Sequence, residues 1–121
     1  MFIKTSAAFL AMTILGAGAA CAHPRLQESV PARDAKLSSA PREIRMSFSE
    51  ALIANFTGLE LKNGKGKTVA TGKAMLVSGD SKKLVVPIAT RLNADTYTVA
   101  WHAVSVDTHR VSGTYSFQIV K

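Results

Sequence analysis

The chain has 121 residues, with 15 Lys and Arg against 8 Asp and Glu, a formal net charge of +7 and a single cysteine. One cysteine excludes an internal disulfide and a cysteine-rich metal site. The basic residues are scattered, apart from Lys62, Lys65 and Lys67 near one turn, so no concentrated stripe speaks for nucleic acid.

The N-terminal segment reads as an export signal. Met1 to Lys4 carries one positive charge, and residues 5–20 run uncharged through Phe9, Leu10, Met12, Ile14 and Leu15. That run is too short and too rich in Ala and Gly for a membrane span, which takes about 20 strongly apolar residues. It ends in Ala20-Cys21-Ala22, with small residues at the two positions a signal peptidase inspects. Removal of residues 1–22 from the 121 leaves 99, residues 23–121, with His23 first, no cysteine and a net charge of +6. That length suits one domain and is too short for two. A rival reading lipidates Cys21 and makes it the mature N-terminus; Gly18 stands where such sites usually carry a large aliphatic residue.

From residue 23 onward the period is two. Ile44, Met46 and Phe48 alternate with Arg45, Ser47 and Ser49. Tyr97, Val99, Trp101 and Ala103 alternate with Thr98, Ala100 and His102, and Tyr115, Phe117 and Ile119 with Ser116, Gln118 and Val120. Residues 26–30 add a strand, and 57–62 with 67–71 form a hairpin about Asn63-Gly64. Residues 82–88 add another strand, which Pro87 places near a sheet edge. Residues 51–55 suit one helical turn. Turn signals at 31–34, 40–41, 78–80 and 93–95 separate the rest. About seven strands with one inward tryptophan predict an all-β, immunoglobulin-like sandwich without the disulfide of antibody domains.

Three histidines are present: His23, His102 and His109. Cleavage before His23 would free an α-amine that, with its own imidazole, can chelate one metal ion. Pro24 has no N–H, so the next amide cannot join that chelate and other donors must complete it. Asp107-Thr108-His109 places a carboxylate and an imidazole at i and i+2, on one side of an extended segment. Copper(II) favours such nitrogen and oxygen donors. The plainer alternatives are a disordered terminal histidine and an Asp that caps a turn beside an exposed His. His102 falls on the face opposite Trp101, as a surface residue. Met46 and Phe48 read as core.

These residues together resemble the CopC family of copper-resistance proteins. The likeness is carried by the His-Pro start, "SVPARDAKLSSAP", "IRMSFSEAL" and "YTVAWHAVSVDTHRVSGTYSFQI", and it spans residues 23–121. It implies a Greek-key β-sandwich that holds one copper(II) ion per chain through His23, amine included, with Asp107 and His109. Glu50 then orients a ligand or a bound water. The resemblance also implies a periplasmic location, a role in copper resistance without catalysis, and an inner-membrane copper transporter of the CopD type as a partner, with no membrane insertion after cleavage. Some relatives carry a methionine-rich loop for copper(I); residues 59–77 here contain only Met75. Two other classes stay open. One is a copper-dependent oxidative enzyme with a terminal-histidine chelate, like that of polysaccharide monooxygenases. The other is a metal-free, lipidated interaction module.

Overall fold

A computed structural model describes residues 23–121, and the predicted signal segment, Cys21 included, lies outside them. The described residues form nine strands: β1 (Leu26–Val30), β2 (Lys36–Leu37), β3 (Glu43–Phe48), β4 (Gly58–Lys62), β5 (Thr68–Val69), β6 (Met75–Val77), β7 (Asp80–Pro87), β8 (Asp95–Val104) and β9 (Arg110–Ile119). They make two sheets, ordered β1-β3-β7-β6 and β2-β9-β8-β4-β5. All pairings are antiparallel except β2 with β9. The all-β sandwich is as the alternation predicts, with β2 and β6 added to the expected strands.

Period-two patterning explains the packing. Ile44, Met46 and Phe48 of β3 and Leu84 and Val86 of β7 face Tyr97 and Val99 of β8 and Tyr115, Phe117 and Ile119 of β9 across a closed core. Tyr97 stacks on Phe117 with ring centroids 5.5 Å apart. Its hydroxyl donates to the Asn93 carbonyl at 2.8 Å, a tyrosine corner of the kind seen in immunoglobulin-like sandwiches. Trp101 is half-buried and meets Phe48 edge to face at 5.4 Å.

The Asn63-Gly64 reversal joins β4 to β5 as predicted. Asn63 Oδ1 accepts from the amides of Lys65 and Lys67, Asp95 accepts from that of Gly64, and Gly66 takes a positive φ of 76°. Pro87 does not mark an edge: β7 lies inside its sheet between β3 and β6, and Pro87 is its last residue. Its missing N–H therefore falls where the ladder ends. The predicted turn at 51–55 is instead a short 3-10 turn at Ala54–Phe56. No helix among the described residues is long and apolar enough to cross a membrane.

The long β8–β9 hairpin stays in register from Asp95 opposite Ile119 to Val104 opposite Arg110. Its reversal, residues 105–109, therefore projects from one end of the sandwich. The chain enters β1 and leaves β3 at that same end.

Candidate metal centre

The N-terminal segment is fastened before β1 begins. The Ser49 amide donates to the Arg25 carbonyl at 2.9 Å, and the Arg25 amide donates to Ser49 Oγ at 2.8 Å. Ser49 Oγ also lies 3.5 Å from the His23 carbonyl. Pro24 is fully buried, so His23 projects from a fixed point and its imidazole reaches solvent. Beyond Ser49, the connection out of β3 is tied to the hairpin reversal. The Val106 amide donates to the Ala51 carbonyl at 2.9 Å, and Leu52 bridges to Ser105.

The reversal brings Asp107 and His109 together, but through a turn and not through the extended segment that the i, i+2 argument supposed. The Thr108 amide donates to the Ser105 carbonyl at 2.8 Å, the Ser105 amide donates to the His109 carbonyl at 2.9 Å, and Thr108 sits at φ 71°. For a β-branched residue that left-handed conformation is strained. Ser105 is 1% exposed, and its hydroxyl donates to Asp107 Oδ1. The other oxygen, Oδ2, stands 3.1 Å from His109 Nδ1, within ion-pair reach yet off the line of a good hydrogen bond. The Ser105 hydroxyl is the main cause that holds the Asp107 carboxyl below its ordinary range. His109 adds to the effect, and partial desolvation opposes it.

His23 and His109 meet at this end with ring centroids 4.9 Å apart and planes inclined by 59°. Two imidazoles and a carboxylate thus converge in pairs: ring beside ring, and carboxylate beside ring. Among the described residues, no three His, Cys, Asp or Glu side chains enclose a single point. Side chains alone therefore fall short of a closed metal site. Glu50 is half-buried in the connection after Ser49, and its carboxylate makes no hydrogen bond with another described residue. His102 is exposed on the outer face opposite Gly58, away from this centre. Met46 is core at 1% exposure, and Met75 stands 52% exposed on β6. Sequence reasoning missed Ser49 and Ser105. The only trace of Ser105 is a hydroxyl between Val104 and Val106, where a strand runs out.

Residues 26–120 match the CopC domain family. "Protein YobA" of Escherichia coli K12 is 39% identical over 98 residues, which cover 81% of this chain and 79% of that one. "Copper resistance protein C" of Pseudomonas syringae pv. tomato is 37% identical over 103 residues, 81% of either chain. The crystal structure of PcoC, a methionine-rich copper resistance protein from Escherichia coli, superposes with a TM-score of 0.72 at 38% identity, over 82% of this chain and all of that one. A domain match over most of the described residues, relatives above one-third identity and a shared sandwich have one reading: the chain belongs to the CopC family.

Proposed function

We propose that this chain is an exported copper(II)-binding protein of copper resistance, which holds one ion in the periplasm through His23, Asp107 and His109 and has no catalytic step. The observation that carries the reading is the pair His23 and His109, far apart in sequence and placed ring to ring at 4.9 Å. Cleavage before His23 supplies the missing donor, because the freed amine and the imidazole of one residue form a chelate. With three nitrogens and a carboxylate, the set favours copper(II) over other divalent ions of the first transition row. Ser49 and Ser105 hold the two halves in place, so the ion meets ligands that folding has already ordered. Glu50 is suited to a bound water or to orienting a ligand. The methionine content does not suit a thioether copper(I) centre, since Met46 is core and Met75 stands alone. Release to an inner-membrane transporter of the CopD type is the delivery route this reading favours.

Copper(II) titration followed by electron paramagnetic resonance tests it. The protein that begins at His23 is expected to take one ion with three nitrogen donors. His109→Ala, or one residue added before His23, is expected to weaken binding at least about 100-fold. Unchanged affinity in both variants would discard the site.

A further inference from the structure

A roomy groove lies apart from the metal centre. It holds about 610 Å³ on the open side of the sandwich, between β1 and the inner residues of β8 and β9. β1 pairs with β3 alone, so its other edge is a row of unpaired backbone groups. β2 covers β9 only at Gln118 and Ile119, which leaves the stretch near Thr114 without a strand beside it. Residues 24–29 form one wall, Trp101 and Tyr115 stand across from them, and Ala32 and Arg33 close the far end.

The chemistry of this groove is one-sided. The indole N–H of Trp101 and the hydroxyl of Tyr115 are both shut off from water and have no aligned partner among the described residues. The Ser29 hydroxyl lies near that of Tyr115 without completing a good hydrogen bond. An indole nitrogen only donates, and buried donors without partners are rare in folded proteins. Arg25 and Arg33 are exposed at the two ends, and Arg33 Nη2 reaches the Thr114 carbonyl only at 3.5 Å. The single carboxylate on the lining is Glu28, which also borders the outer face of its sheet. Two cations therefore face one carboxylate on the lining, beside a strand edge that offers its own backbone.

We propose that this groove receives an extended, acidic segment of a partner protein, which adds along the free edge of β1 and sets its carboxylates against Arg25 and Arg33 at the two ends. Pro24 and Pro31 bracket β1 and limit the added strand to the residues between them. A lone carboxylate would leave most of the groove unfilled, whereas an extended chain uses both the strand edge and the cations.

Trp101 is the only tryptophan, so its indole N–H gives one resonance that reports on this groove. The test uses protein freed of metal, which separates it from the copper reading. It is titrated with an end-blocked peptide of alternating valine and aspartate, with the same peptide carrying asparagine, and with acetate. The indole signal is expected to move saturably with the aspartate peptide and about tenfold less tightly with the asparagine one. Arg33→Ala, an exposed position whose loss leaves the spectrum of the free protein intact, is expected to weaken the aspartate peptide at least about fivefold. No shift, equal affinity for both peptides, or the same response to acetate alone would overturn the proposal.

Discussion

Gly113 lies beneath the indole of Trp101: a Cβ at Gly113 would stand 2.6 Å from Cζ2 and 2.9 Å from Cε2. The two residues are register partners on β9 and β8, and the indole also meets Phe48 edge to face. A side chain at 113 must therefore displace a rigid ring system. Gly113→Ala is expected to destabilise the fold by about 1–3 kcal/mol, as overpacking does, and to shift the tryptophan emission. Urea unfolding with fluorescence checks both, and wild-type stability would show that the indole moves freely.

Ser105→Ala removes the hydroxyl that fixes Asp107. The partly exposed carboxylate can turn to water, so the expected stability loss at neutral pH is small, about 1 kcal/mol, while copper(II) affinity falls about 10–100-fold. The acid behaviour gives a second readout. Because the native carboxyl sits below the ordinary value of about 3.9, its contribution to stability is complete above that value and is lost as the pH falls through the native one. In the variant, the Asp107 carbon signal is expected to titrate at higher pH.

Tyr97 and Tyr115 look alike in sequence and should answer differently to loss of the hydroxyl. That of Tyr97 is bonded to Asn93, so Tyr97→Phe is expected to cost about 1 kcal/mol, whereas the unpartnered hydroxyl of Tyr115 makes Tyr115→Phe neutral or mildly stabilising at pH 7. Burial is the main cause that raises both phenols. Above a pH of about 10 the unfolded chain loses these protons first, so stability declines as the pH rises towards the native values. Each Phe variant should lessen that alkaline decline, measurable by urea titrations at neutral pH and above pH 10.

Thr108 carries a positive φ that a β-branched side chain resists. Thr108→Gly removes the strain at some cost in unfolded-state freedom, and a net gain of about 0.5–1 kcal/mol is expected. A loss of stability in thermal unfolding would mean that the Thr108 side chain contributes more to the reversal than its conformation costs.

Much of this architecture was legible because one physical signal dominates it. A strand with one wet face must alternate; β3 and β9 do so throughout, and β8 does so until Ala103 and Val104, which are both buried. β2 and β6 span two and three residues, too few for any period, and they exist because β9 and β7 offer edges to pair with. The candidate donors His23, Asp107 and His109 were visible as residue types. Only the resemblance grouped them, and the contacts that position them were not legible, since Ser49, Ser105 and a left-handed Thr108 act between segments distant in sequence or through a turn. Pro87 misled for the complementary reason: a missing N–H marks where a ladder can stop, and this one stops at the end of an interior strand.

The parallel pairing of Lys36 and Leu37 with Gln118 and Ile119 joins early residues of the domain to its last strand. The second sheet consequently has no complete middle until β9 has been synthesised, and its closing contacts are among the most remote in the chain, an arrangement that slows folding. The sandwich can therefore compact fully only after the final strand is available to both of its neighbours.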